Sequence, residues 1–467
     1  MQIRESGERA GRGRARGVGR KKRQVWKATA LAYIVVAVAI GIQSRATTLK
    51  TFIRGDTLST PAMVATIVST FYGASSILGG VSLAYAVGLG AIWFMIPFYL
   101  GSLAVVLLLQ AIAGSDTYTL PDFLGGFYGE RFAIASSVLL ATLCLVPEEI
   151  IAGGKIFSAF TPVSLELAMA LMTLVLVVPV VIGGMKADVT TDIVQFVLMI
   201  LMLALLIPFA LRPQPAADLP AGHLDPLAGL SVQEMAVFFV ALFFLPITSA
   251  PLYQRLFVSQ SKEGARKAMI YSVAIWVLID AIIVLGGLAA ARTLPGLDDP
   301  DLALVELGRT LPLVGQAVFF VGLLAVIMST VNSFLQSGAS SLAYDVWRHF
   351  RPSASEKELL ILSRMFVVAL GLLSLTLALW FRAVVPALLF TLSMWIAGIL
   401  IPTLAALFGW KLSKRVALCS LLGGALSSIA WRILQPGAVD ALFVGLGGSL
   451  LTVLIAGQVE RRLHRDE

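Results

Sequence analysis

Charge is scarce in this 467-residue chain: Asp, Glu, Lys and Arg make up 13% of it, while hydrophobic residues make up 58%. Soluble domains carry roughly 25% charged residues, so a water-exposed globular surface is excluded, and a mean hydropathy of +0.90 says the same. Cysteine and histidine are nearly absent, with two and three copies. Cys144 and Cys419 both fall in apolar stretches and give no disulfide framework. His223, His349 and His464 are scattered through loops and the tail, so a metal centre or a nucleophilic active site has almost no material. The chain does not read as an enzyme. Period-two alternation is missing too, which excludes a β-barrel and leaves helices as the way to satisfy backbone groups in lipid.

What is present is a series of apolar runs of about 20 residues, the length that crosses a hydrocarbon core of about 30 Å. They fall at 27–43, 61–86, 91–113, 132–160, 163–183, 189–211, 232–252, 266–291, 311–342, 358–381, 384–410, 413–433 and 438–457. The fold class is therefore an all-α membrane protein with about thirteen transmembrane helices. Residues 26–458 form one transmembrane domain, preceded by a basic tail over 1–25 and followed by a C-terminal tail over 459–467. Loops 212–231 and 292–310, with their Pro, Gly and Asp, read as caps.

Lys and Arg concentrate in alternate loops: Arg45, Lys50 and Arg54; Lys186; Arg255, Lys262, Arg266 and Lys267; Arg348 and Arg351; Lys411, Lys414 and Arg415. These loops, with Arg461, Arg462 and Arg465, are assigned to the cytoplasm, and the acidic loops carrying Asp218, Asp225, Asp298, Asp299 and Asp301 to the other side. An odd number of spans then puts the N-terminus outside. The run from Arg4 to Arg23 resists that placement. A downstream start codon, a first span that does not cross, and export of the tail all remain open. The net charge of +8 reports topology and a basic arm at a lipid surface, and no nucleic-acid partner is expected.

Two spans carry their own breaks at mid-depth. The one from Pro61 holds Gly73, Ala74, Ser75, Ser76, Gly79 and Gly80, and the one from Val232 holds Pro246, Thr248, Ser249 and Pro251. Glycine permits non-helical backbone and proline removes a helical donor, so carbonyls are freed to face a cavity. These are the second and seventh spans, the spacing of two inverted five-helix repeats. Within 311–342, Ser329, Asn332 and Ser333 share one helical face and Thr330 flanks it. Clustered oxygens of that kind suit a small hard cation.

At several points the residues resemble the sodium:solute symporter family, the carriers of proline, glucose, sialic acid and pantothenate. The stretch Lys50–Pro61, Thr119-Leu-Pro-Asp-Phe-Leu124 with Tyr128-Gly129 and Arg131-Phe132, and Ala152-Gly-Gly-Lys155 are similar to its motifs. So are Gly183-Gly184 with Thr191-Asp192 and Gln195, Gln254-Arg255, and Ala325 to Ser333. Each is weak alone; their order and intervals from Thr47 to Trp410 carry the likeness. The resemblance implies an inverted-repeat, leucine-transporter-like core of ten helices over 61–410, an extra first helix over 27–43 and two C-terminal helices over 413–457.

It also implies a sodium-coupled symporter that imports a small organic solute by alternating access, in the cell (inner) membrane, with no cofactor and with a monomer sufficing for transport. By resemblance, Na⁺ is held by the side chains of Ser329 and Thr330 and the carbonyls of Ser69, Tyr72 and Val326. Five neutral oxygens at ~2.4 Å hold a partly dehydrated Na⁺ reversibly. A second Na⁺ is expected at Asp192, Ser329, Asn332 and Ser333, the alternative being that Asp192 only caps a helix. Glu148 and Glu149, where the family has neutral or small residues, point to an amine-bearing or amino-acid-like solute, to a proton site, or to an interfacial pair bridged to Lys155 or another helix. Ser75, Ser76, Thr248, Ser249, Ser393 and Trp395 are further solute-site candidates, and Asp280 is expected to face a partner helix. A proton-coupled carrier on the same fold, or a membrane solute sensor, is the alternative.

Overall fold

The computed structural model describes residue 29 and residues 32–113, 115–211, 219–434 and 439–463. The basic run Arg4–Arg23, Asp218, His464 and Arg465 lie outside these residues, so the expectations attached to them are not addressed. The helices, in chain order, are α1 (Ala32–Gln43), α2 (Leu49–Ile53), α3 (Thr60–Phe71), α4 (Ala74–Val87) and α5 (Ile92–Ile112). Then follow α6 (Leu120–Tyr128), α7 (Glu130–Leu143), α8 (Pro147–Phe160), α9 (Leu165–Ala204) and α10 (Ile207–Leu211). α11 (Val232–Thr248), α12 (Ala250–Phe257), α13 (Lys262–Thr293) and α14 (Ala303–Arg309) lead to α15 (Leu313–Ser341). A π-helical turn over Leu342–Trp347 joins α15 to α16 (Arg348–Phe350), and α17 (Glu356–Phe381), α18 (Val384–Leu407), α19 (Lys414–Leu434) and α20 (Ala441–Leu463) complete the chain.

Among the described residues, ten helical stretches are long and apolar enough to cross a membrane, and α1 and α3 are shorter apolar helices. Two stretches exceed one pass. Ala74–Ile112, 39 residues long, turns between α4 and α5 at Gly88, whose φ of 62° suits glycine. Leu165–Phe209, 45 residues long, bends within α9 at Gly184, where φ is 64° and ψ is −166°. A Cβ on Gly184 would lie 2.8 Å from Phe52 Cα, so α2 packs against the bend only because it carries no side chain. Among the described residues, each of the thirteen runs expected from sequence falls mainly on helix, and no strand interrupts them.

Serine opens many of these helices. Ser231 and Glu234 cap the start of α11 reciprocally, and the hydroxyls of Ser261 and Ser355 accept amide hydrogen bonds at the starts of α13 and α17. The loop that follows residue 218 is ordered as a cap. Leu89 N–H donates to the His223 carbonyl at 2.8 Å, and His223 Nε2 lies 3.1 Å from the Tyr85 carbonyl.

Both expected breaks are present. α3 stops at Phe71, Tyr72 takes φ −103° and ψ 70°, and α4 restarts after Gly73. α11 stops at Thr248 and α12 restarts after Ser249, with Pro251 in its first turn. A third break was not expected: the run 132–160 is divided at Cys144–Val146, and Pro147 starts α8. The amide freed at Val146 donates to Ser374 Oγ at 3.1 Å. Glu148 and Glu149 therefore stand in the first turn of a half-helix, where the helix dipole favours acidic side chains. They do not lie in the middle of a continuous helix.

Candidate functional site

α3, α9, α12 and α15 converge on a buried polar node. Asp192 on α9 accepts hydrogen bonds from Thr66 on α3, from Ser329 Oγ on α15 at 2.6 Å, and from Arg255 Nη2 on α12 at 3.2 Å. Its backbone carbonyl accepts from Ser69 Oγ at 3.1 Å. One helical turn earlier, Asp188 accepts from Arg255 Nη2 at 3.0 Å and from Ser333 Oγ at 2.9 Å. Arg255 is 1% exposed, and it donates further to Ser333 Oγ at 2.6 Å, Thr66 Oγ1 at 2.8 Å and the Pro251 carbonyl at 3.0 Å. Two carboxylates sharing one guanidinium, with every arm of the guanidinium hydrogen-bonded, is an arrangement that tolerates burial.

At the lip of this node lies the break in the first core helix. Thr330 Oγ1 donates to the Thr70 carbonyl at 3.0 Å, and Thr70 Oγ1 lies 3.0 Å from Ser333 Oγ. A Cβ on Gly73 would come within 2.6 Å of Thr330 Oγ1 and 2.0 Å of Glu149 Oε1. The glycine is thus the point at which α15, α8 and the broken helix meet. Of the residues expected to hold Na⁺, Ser69 and Tyr72 lie at the C-terminal end of α3, where carbonyls lose their helical partners. Val326 lies one turn before Ser329 and Thr330 on α15, and all five residues are buried.

The four residues expected around a second ion are brought together only in part. Asp192 and Ser329 are directly bonded, whereas Ser333 belongs to Asp188 and Arg255. Asn332 faces a small space beside Gly184, Asp188 and Thr191, and its Oδ1 has no hydrogen-bond partner. A guanidinium stands where a second cation was expected. Asp192 is no helix cap; it lies inside α9.

A central cavity of about 70 Å³ opens on the other side of the break. Thr70, Tyr72, Ser75, Ser76 and Thr330 line it with Glu148 and Asp280, and Phe71, Phe94, Phe98 and Phe334 supply aromatic surface. Glu148 is 5% exposed and its Oε2 has no partner. Glu149, fully buried, turns away and accepts from the amides of Ala74 at 2.7 Å and Ser75 at 3.3 Å, at the start of α4. Asp280 accepts from the hydroxyls of Tyr72 and Tyr99, so it faces the cavity as well as its partner helices.

Several expectations are corrected here. Lys155 does not pair with the glutamates; it bridges Asp299 and Asp301 at 2.7 Å each, tying α8 to the loop before α14. Thr248, Ser249, Ser393 and Trp395 are absent from the described cavity lining. Trp395 is fully buried, and its indole N–H donates to the Thr248 carbonyl at 3.1 Å, pinning α18 to the end of α11. Ser393 Oγ donates to the Leu389 carbonyl at 2.5 Å and accepts from Arg432. Arg255 is a buried ion-pair partner and not a loop charge. Asp188 was missed altogether, although two acids four residues apart within one apolar span share a helix face and require a common counter-charge.

Broken helices around a polar node and a mid-depth cavity define a multi-pass membrane transporter. The sequence profile of the sodium:solute symporter family matches residues 52–424, and the chain belongs to that family. It is similar to the high-affinity proline transporter PutP of Bacillus subtilis, 27% identical over 79% of this chain and 84% of that one. It is also similar to the human sodium/glucose cotransporter 4, 25% identical over 92% of this chain and 70% of that one. A Na⁺-coupled sialic acid symporter solved in a substrate-bound, outward-open state superposes with a TM-score of 0.75 at 15% identity, covering 94% of this chain and 98% of that one, and shares its fold. The chain is therefore a secondary transporter and not an enzyme.

Proposed function

We propose that this symporter couples one Na⁺ to the import of a small organic solute across the cell membrane by alternating access. The coupling ion is held by the hydroxyls of Ser329 and Thr330 and the carbonyls of Ser69, Tyr72 and Val326. The observation that carries this reading is the hydrogen bond from Thr330 Oγ1 to the Thr70 carbonyl at 3.0 Å, which places an α15 hydroxyl against the unwound end of α3. An ion there touches both the broken helix and α15, so it favours the arrangement in which the two are close, and the cavity beside it is pre-formed for the solute.

A second ion is not part of the proposal: Arg255 Nη2 already stands between Asp188 and Asp192, at 3.0 and 3.2 Å, and its single charge offsets one of the two carboxylates.

The test uses full-length protein in proteoliposomes, reading solute-coupled ²²Na⁺ entry or solute uptake with Na⁺ outside and with K⁺ in its place. Uptake that needs Na⁺ and saturates hyperbolically with it is the expected result. Uptake driven equally well by a pH gradient in K⁺ medium identifies a proton-coupled carrier instead.

A further inference from the structure

Resting on the symporter reading above, we infer that the transported solute is an organic cation lacking a carboxylate, an amine or quaternary ammonium compound seated between Glu148 and the aromatic wall of the central cavity. Three independent features point to it.

The first is the place where an anionic group of a solute would sit. In inverted-repeat transporters the exposed amides and positive dipole end of a half-helix receive such a group. Here that end belongs to α4, 14 residues long, and it is filled from within. Glu149 Oε2 accepts from Ala74 N–H at 2.7 Å, and Glu149 Oε1 accepts from Ser75 N–H and from Ser75 Oγ, both at 3.3 Å. The missing side chain of Gly73 makes this approach possible. An incoming carboxylate would have to displace Glu149 or lie against it, and two like charges so close in an apolar setting repel strongly.

The second is the charge of the wall. Glu148, the residue just before it, lines the cavity at 5% exposure, and one of its carboxylate oxygens is buried without a partner. Across the same space stands Asp280, whose described partners are tyrosine hydroxyls and not cations. Among the described lining residues there is no Lys or Arg. A buried carboxylate without a counter-charge is costly inside a membrane, and a cationic solute is the group that offsets it.

The third is aromatic. Phe71 packs on Phe98 with ring centroids 5.4 Å apart, Phe98 on Trp276 at 4.9 Å, and Phe334 on Phe71 at 6.4 Å. Aromatic faces attract ammonium groups, and quaternary ammonium is held in this way. The same surface has little to offer a polyhydroxylated neutral solute, whose many hydroxyls would each need a partner.

The experiment measures the thermal transition of purified full-length protein in saturating Na⁺ with six probes: choline, ethanolamine, 1,4-diaminobutane, glycine betaine, proline and glucose. Choline and betaine are the decisive pair, since both carry the trimethylammonium group and only betaine carries a carboxylate. At least one of the three carboxylate-free cations is expected to raise the transition, and betaine, proline and glucose are expected not to.

Glu148→Gln is expected to weaken the response to that cation about tenfold or more, while the shift produced by Na⁺ alone persists and shows that the variant is folded. If Glu148→Gln does not fold, Phe98→Leu, which keeps the apolar volume and removes an aromatic face, is expected to weaken the same response. Silence of all three cations, or stabilisation by betaine, proline or glucose in their place, overturns the cation assignment and leaves the symporter reading standing. Loss of any Na⁺ shift in the native protein without solute overturns the reading beneath it.

Discussion

Replacing Arg255 with methionine is expected to cost the folded protein about 3–5 kcal/mol, the usual penalty for leaving a buried charge without its partner. The substitution keeps an unbranched apolar stem that reaches about as far as Nε, so what is lost is the guanidinium. That group serves two carboxylates at once, Asp188 at 3.0 Å and Asp192 at 3.2 Å, in a setting where the three side chains are at most 3% exposed. It also donates to Thr66, Ser333 and the Pro251 carbonyl, so its removal loosens α3, α12 and α15 together. The readout is the thermal transition and the monodisperse fraction of the detergent-purified variant. Adding Asp188→Asn and Asp192→Asn to Arg255→Met is expected to recover much of the loss, because neutral amides no longer demand a counter-charge. If Arg255→Met alone is as stable as the native protein, the ion pair is not the tie that joins these helices.

The second large effect is expected from one methyl group. Gly73→Ala places a Cβ 2.0 Å from Glu149 Oε1 and 2.6 Å from Thr330 Oγ1, both far inside van der Waals contact. Neither neighbour yields cheaply, since Glu149 is held by two amides of α4 and Thr330 by the Thr70 carbonyl. The φ of −82° at Gly73 is ordinary for alanine, so the effect comes from contact and not from backbone strain. Displacing converging groups by about 1 Å costs function on the order of a hundredfold, and Na⁺-driven uptake is expected to fall by that order while the variant still inserts and purifies. Undiminished uptake would mean that α8, α15 and the break do not meet as tightly as described.

Much of this architecture was legible because lipid enforces simple rules. Apolar runs had to be helices, and clustered glycine or proline in mid-span pointed to breaks; Gly73 and Pro251 stand at two of them, while Pro97, Pro179 and Pro402 lie within continuous helices. The third break was hidden because its sequence signal is Pro147 alone, inside the run 132–160. The sequence could place two acids there, yet not see that they begin a half-helix and divide their roles, one filling the end of α4 and one facing the cavity.

Arg255 was misread for a related reason. Near the end of an apolar run, a buried Arg and a loop Arg look alike, and only the i, i+4 pair Asp188 and Asp192 could have shown that a cation was needed inside. Lys155 found its partners in Asp299 and Asp301, about 145 residues away in the chain, a pairing that no local pattern encodes. The α18 candidates Ser393 and Trp395 fall outside the described cavity lining, since spacing alone cannot tell a cavity wall from a helix contact: the Trp395 indole donates to the Thr248 carbonyl of α11.

The central claim, a Na⁺ held between Ser329, Thr330 and the unwound end of α3, is tested most directly by the stabilisation that Na⁺ gives the purified protein. Binding to the folded form alone raises stability by about 2.7 kcal/mol at a hundred times the dissociation constant. Na⁺, and not K⁺, is expected to raise the thermal transition of the native protein in a concentration-dependent way. Ser329→Ala and Thr330→Ala are each expected to fold, yet to need much more Na⁺ for the same rise, and the double variant to show none. A double variant whose transition rises with Na⁺ along the native curve would contradict the account.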